Sequence, residues 1–145
     1  MKDDRARTLE PVQAGEREVQ GPRWPFWLVV FLRAMAVLSL LKGLFHWAVI
    51  CGFGAPPHAG FEAYPVPVQV ATAFFGVIDL VAAVGLWLAA PWGAVIWLTS
   101  VVSMAAVEIL FPQIYGGRIV VIAVEVVLLV VYIALAILAA REQPA

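Results

Sequence analysis

Four long apolar stretches dominate this sequence and limit what the chain can fold into. They cover residues 24–50, 67–90, 92–111 and 119–140, and each contains between 20 and 27 residues. A helix rises about 1.5 Å per residue, so each stretch is long enough to cross a hydrocarbon core of about 30 Å. The pattern predicts an all-α integral membrane protein, a four-helix bundle with up-down-up-down topology.

The composition agrees with a membrane protein and leaves no room for a separate soluble domain. Of 145 residues, 63% are hydrophobic and 13% are charged, whereas a soluble domain is roughly 45–50% apolar and about 25% charged. The net charge is −1, so no basic surface favours binding to nucleic acid. Cys51 is the only cysteine, which excludes an intramolecular disulfide and any zinc site built on paired cysteines.

The segments outside the apolar stretches predict the domain organisation. Residues 1–23 are polar and mixed in charge, and such a segment is typical of a disordered tail. A second short tail covers residues 142–145, so the membrane domain is predicted to cover residues 24–141. A proline and a glycine near residue 92 predict a tight hairpin between the second and third spans.

Basic residues predict the orientation of the chain in the membrane. The two tails contain Lys2, Arg5, Arg7, Arg17, Arg23 and Arg141. The first and third connections contain only Arg118. Because basic residues accumulate on the cytoplasmic side, we expect both termini in the cytoplasm.

Five ionisable side chains lie inside the apolar stretches and are the main clue to function. They are Lys42 and His46 in the first span, Asp79 in the second, Glu108 in the third and Glu125 in the fourth. A charged group at the centre of a membrane helix costs at least ~2.5–3.5 kcal/mol, so such residues usually face protein or water and are functional. We therefore treat these five residues as a candidate site, an intramembrane polar cluster.

The polar residues of the first span fall on two faces. Ser39, Lys42 and His46 are three or four residues apart, so they form one stripe along the helix. Arg33 precedes Lys42 by nine residues, which places it on the opposite face. Its long side chain reaches the cytoplasmic interface from there, so we interpret Arg33 as a topology anchor.

With both termini in the cytoplasm, the candidate residues fall at similar depths in the membrane. Asp79 falls near the midplane, and the other four residues fall in the outer half of the membrane. Four helices thus contribute polar groups to one side of one bundle. Three interpretations stay open: ion pairs that only stabilise the bundle, a functional pocket, and a surface for the transmembrane helix of a partner.

Motifs for familiar chemistry are absent from the sequence. There is no phosphate-binding glycine loop, no HExxH, no CxxC and no nucleophile elbow. A non-catalytic protein is therefore favoured, although enzymatic activity stays undecided. The sequence indicates no metal site and implies no cofactor, while a bound quinone or lipid is compatible with it.

Two segments resemble known membrane families. Residues 31–44 are similar to the first helix of DoxX-like four-span proteins, and residues 78–86 to the second, with Asp79 where those relatives usually have glutamate. The whole chain is more similar to a family of small bacterial inner-membrane proteins classed as a domain of unknown function. The motifs that carry this similarity are residues 43–47, 84–87 and 91–93. The resemblance implies a four-helix inner-membrane bundle, and the DoxX-like relatives add a link to quinone- or thiol-linked redox membranes.

Two functions follow as hypotheses. The first is a non-catalytic accessory or interaction subunit of a membrane complex, surrounded by lipids, with a membrane-protein partner or a second copy of the chain. The second is a DoxX-like site for a lipophilic ligand, a quinone or lipid, or a proton-coupled site. In that case Lys42, Asp79, Glu108 and Glu125 line the site and His46 exchanges protons.

The charge count generates a first prediction. One lysine accompanies three acids, Asp79, Glu108 and Glu125, and both burial and mutual repulsion favour the neutral acid. We expect at least one of the three carboxyl groups to be protonated at pH 7. Infrared difference spectroscopy during a pH titration measures this, and three ionised carboxylates at pH 7 would contradict it.

Overall fold

The fold contains four long helices, as the sequence predicts. The computed structural model describes residues 23–54, 60–116 and 119–142. The long helices are α1 (Trp24–Ile50), α2 (Val66–Trp87), α3 (Pro91–Leu110) and α5 (Ile119–Arg141). A short 3-10 helix (Phe61–Ala63) precedes α2, and a single helical turn, α4 (Pro112–Tyr115), follows α3. The predicted tails cover residues 1–23 and 142–145, and all of their residues except Arg23 and Glu142 lie outside the described residues.

All four long helices are long and apolar enough to cross a membrane. They run in alternating directions, so the chain is a multi-pass membrane protein with the predicted up-down-up-down topology. Two ends of the bundle follow from this. We call the end where α1 begins and α5 ends the terminal end, and the opposite end the loop end.

One helix boundary differs clearly from the prediction. The second span was predicted to continue to Ala90, but α2 ends at Trp87. Leu88 and Ala89 form a turn in which Ala89 has a positive φ of 51°, a conformation incompatible with continued right-handed helix. Pro91 then opens α3, because a proline at the first helical position lacks only an N–H that would be unpaired anyway.

The turn between α2 and α3 depends on a close contact of two glycines. Gly85 of α2 and Gly93 of α3 are both buried and face each other. A Cβ atom added to either residue would overlap the backbone of the other helix. Small residues allow membrane helices to approach closely in this way, and dispersion contacts then hold them together.

An aromatic cluster packs the interior between the level of this turn and the middle of the bundle. Trp97 of α3 lies edge-on to Tyr132 of α5, with ring centroids 5.7 Å apart. Phe31 of α1 completes the cluster at 6.4 Å from each of the other two rings. These three side chains join α1, α3 and α5 with the edge-to-face and stacked geometries that aromatic pairs prefer.

Helix α5 is the most exposed element of the bundle. Only 6% of the residues in its apolar central stretch are buried, against 44% in α2. Its buried residues are Glu125 and Ala139. The remaining surface is largely apolar, with Arg141 at its end, and it faces outward, which suits contact with lipid. Because so few of its residues are buried, α5 is held to the bundle by few contacts, and Glu125 makes one of them.

The glycine contact generates a prediction about stability. Gly85→Ala should lower the free energy of unfolding by about 1–3 kcal/mol, because the added methyl group overlaps backbone atoms that no side-chain rotation moves away. Unfolding of the purified protein in mixed micelles with increasing SDS measures the change. Gly60→Ala is the control, since a Cβ there meets open space; equal stability of both variants would contradict the prediction.

Candidate functional site

Lys42, Asp79 and Glu125 meet inside the bundle. The Nζ atom of Lys42 lies 3.7 Å from Oδ2 of Asp79 and 3.6 Å from Oε1 of Glu125. The three residues come from α1, α2 and α5, so a single ammonium group bridges two acids on different helices. We call these three residues, together with Ser100, the ion cluster.

Ser100 brings the remaining long helix into the cluster. Its hydroxyl group donates a hydrogen bond of 2.5 Å to Oδ1 of Asp79, and both side chains are fully buried. Ser100 was not predicted from the sequence as part of the site. It lies three residues after Trp97 and four before Met104, and that helical spacing on a buried face could have indicated it. Each of the four long helices therefore contributes one polar side chain to one cluster.

The cluster forms at one level because the helices are staggered. Asp79 and Ser100 lie near the middle of α2 and α3. Lys42 lies about two turns before the end of α1, and Glu125 less than two turns after the start of α5. Helices α1 and α5 are thus displaced toward the terminal end relative to the hairpin of α2 and α3.

The other two candidate residues are buried closer to the loop end. His46 lies one turn beyond Lys42 on α1 and stacks on Phe75 of α2, with ring centroids 5.9 Å apart. Glu108 lies about two turns beyond Ser100 on α3 and is also buried. The structure therefore buries four of the five candidate residues inside the bundle, whereas Lys42 is partly exposed.

Arg33 lies apart from the ion cluster, on the exposed side of α1. Its guanidinium carbon is 5.8 Å from the ring centroid of Trp87, the last residue of α2. A guanidinium group at this distance from an indole face makes a cation–π contact. The position suits the predicted topology anchor, although that role stays a prediction.

A cavity of about 310 Å³ lies between α1, α3 and α5, next to the ion cluster. Most of its lining is apolar, and Ser39, Lys42 and Glu125 form its polar part. The apolar lining residues are Met35, Leu38, Trp97, Val101, Val120, Val121, Val124 and Leu128. Leu38, Val120 and Val124 are exposed at the edge of the bundle, so the cavity opens sideways between α1 and α5, toward the lipid.

The ion cluster is incompletely neutralised and incompletely hydrogen-bonded. Asp79 Oδ2 and Glu125 Oε2 are buried and accept no hydrogen bond from the residues that the structure describes. With both acids ionised, one ammonium group would leave a net negative charge in the membrane, and a proton on either acid removes it. Chemically, the cluster can fix helix positions, hold a proton, or offer a hydrogen-bond donor to the cavity.

A metal centre finds no support in the described part of the chain. No group of three or more His, Cys, Asp or Glu side chains there lies close enough together to hold a metal ion. Cys51 is exposed at the end of α1 and carries a free thiol.

The chain belongs to a family of unknown function (DUF6163), which it matches over residues 26–143. This match confirms the part of the sequence resemblance that pointed to a domain of unknown function. It shows neither a relationship to DoxX-like proteins nor a bacterial origin, so both stay predictions. Neither the curated proteins nor the solved structures contain a match to the chain.

The hydrogen bond from Ser100 generates a prediction. Ser100→Ala should lower the free energy of unfolding by about 1.5–3 kcal/mol, the usual contribution of a hydrogen bond to a charged group, because Asp79 Oδ1 loses its donor in a buried site. The SDS titration used for the glycine variants measures the change. Ser103→Ala makes the same substitution on α3 outside the ion cluster. A similar loss of stability in both variants would show that the hydrogen bond is unimportant.

Proposed function

We propose that this protein is a small bacterial inner-membrane protein that binds a lipophilic molecule in the cavity beside Lys42. Both termini lie in the cytoplasm, because the basic residues next to the membrane are concentrated in the tails. The terminal end of the bundle then faces the cytoplasm, and the loop end faces outward.

One observation carries the proposal: Lys42 belongs both to the ion cluster and to the lining of the cavity. Its side chain is 41% exposed, whereas those of Asp79 and Glu125 are 1% and 10% exposed. The two acids lie on the buried side of the ammonium group, and its exposed side borders the apolar cavity. Apolar walls with a few placed polar groups are what small-molecule sites generally have.

The position of the cavity supports entry from the membrane. Its open side lies between α1 and α5, the helix with the fewest buried residues among the four. A lipophilic molecule dissolved in the bilayer reaches such a site sideways, without crossing water. The buried Trp97 closes the inner wall, so the apolar part of the molecule packs against its ring and against Val101.

An accessory or interaction subunit is a second candidate function, and the exposed surface of α5 favours it. Only 6% of the apolar stretch of α5 is buried, which leaves a long helical face available to a partner helix or to a second copy of the chain. In this case the ion cluster serves to fix the position of α5 and hence the surface that it presents.

A cavity-filling substitution tests the proposed function. Val124→Trp should remove the bound molecule, because Val124 lines the cavity and an indole group occupies much of a space of about 310 Å³. Native mass spectrometry of protein extracted gently from its own membrane reports bound small molecules and bound proteins together.

Val127→Trp is the matched control for this experiment. Val127 lies on the same helix and is 60% exposed, against 53% for Val124, but it does not line the cavity. A bound molecule in the wild type and in Val127→Trp, but not in Val124→Trp, is the expected result. A stoichiometric protein partner without any small molecule would instead support the accessory subunit.

A further inference from the structure

We infer that the molecule bound beside Lys42 is uncharged and ends in a hydrogen-bond acceptor, such as a hydroxyl, carbonyl or ester oxygen. The inference rests on the proposed function, since it names the chemical class that the cavity takes. Three features of the site carry it: the free donors of Lys42, the charge around the cavity, and the depth of the cluster.

Lys42 offers a hydrogen-bond donor that the acids do not use. An ammonium group has three N–H donors. Its distances to Asp79 and Glu125, 3.7 and 3.6 Å, are longer than the ~2.7–2.9 Å of charge-assisted hydrogen bonds. Even with one N–H directed at each of the two acids, the third donor of the ammonium group is left over. An acceptor oxygen in the cavity can approach the ammonium group closely.

The charge of the cluster disfavours an anionic ligand. Asp79 and Glu125 already outnumber Lys42, and Glu108 is buried about two turns beyond Ser100 on α3. One ionised acid is enough to balance the charge of Lys42. A carboxylate or phosphate in the cavity would therefore bring an unbalanced negative charge into surroundings that screen charge poorly.

A cationic ligand is disfavoured for a geometric reason. Lys42 is the most exposed of the charged side chains in the ion cluster, so a cation entering the cavity meets the ammonium group first. The acceptor atoms without hydrogen bonds, Asp79 Oδ2 and Glu125 Oε2, are both buried away from the surface. A cation that approached either acid would also come close to the ammonium group of Lys42, which lies 3.7 and 3.6 Å from the two carboxylates and repels it.

The depth of Lys42 disfavours the headgroup of a phospholipid. Lys42 lies eight residues before the end of α1, which corresponds to about 12 Å along the helix axis. A phosphate headgroup would have to leave the interface and enter the apolar part of the membrane to reach it, at a high desolvation cost. A lipophile with one small polar end reaches this depth without that cost.

Photoaffinity labelling with three probes tests the inference. The probes share one alkyl chain with a diazirine and end in an alcohol, a carboxylate or an amine. The full-length protein in vesicles of phosphatidylcholine is irradiated over a range of probe concentrations, and adducts are located by peptide mass spectrometry. We expect the alcohol to label the cavity residues at a concentration at least about tenfold lower than the other two probes, because only the alcohol accepts a hydrogen bond from Lys42 without bringing a charge into the site.

Variants separate the role of Lys42 from damage to the fold. Lys42→Met alone leaves two buried acids without their ammonium partner and could prevent folding, so it is combined with Asp79→Asn and Glu125→Gln. This triple variant should remove the preference for the alcohol, while Lys42→Arg should keep it because charge and donors remain. Val124→Trp should abolish labelling of the cavity by every probe, and Val127→Trp should leave it unchanged.

The outcomes distinguish failure of this inference from failure of the proposed function. Stronger labelling of the cavity by the carboxylate or the amine, or equal labelling by all three probes, would overturn the uncharged ligand and leave the cavity as a binding site. Absence of labelling in the cavity by any probe, in a folded wild-type protein, would overturn the proposed function itself.

Discussion

The arrangement of this bundle depends on the ion cluster around Lys42. Lys42 approaches acids on α2 and α5, and Asp79 accepts a hydrogen bond from Ser100 on α3. Apolar side chains pack against lipid almost as well as against each other. Apolar packing alone therefore does little to favour one rotation and depth of each helix over another. The polar contacts fix the helix positions, because Asp79 is fully buried and depends on nearby partners on other helices. This role matters most for α5, which has few other buried residues.

The same cluster links the stability of the bundle to the proposed function. Asp79 is fully buried, and Ser100 donates a hydrogen bond to one of its oxygens. Lys42, in contrast, is half-exposed beside a cavity. A cluster that served packing alone would gain by enclosing its lysine as well. The long distances from Lys42 to both acids leave its donors available, and the cavity provides apolar walls beside them. If the proposed function holds, the packing of the helices and the binding of the ligand depend on the same ammonium group.

The candidate site was predicted in part from the sequence. Charge inside apolar stretches is conspicuous, so Lys42, His46, Asp79, Glu108 and Glu125 could all be identified before the fold was known. Ser100 was not predicted, because a serine in a membrane helix is common and carries no charge, and only its spacing from Trp97 and Met104 indicates a buried face. The end of α2 was also predicted too late, because the left-handed conformation of Ala89 depends on the packing of the hairpin and not on an unusual residue.

The sequence by itself determined the four spans, their alternating direction and the presence within them of polar groups that are energetically costly to bury in a membrane. These properties depend on the hydropathy and length of each segment, which are local. Only the tertiary structure decided which polar groups meet, because that depends on the rotation and stagger of each helix against its neighbours. The stagger places Lys42 and Glu125, both near the loop end of their helices, level with Asp79 at the middle of α2. The lateral cavity exists for the same reason, since α5 approaches α1 and α3 without filling the space between them.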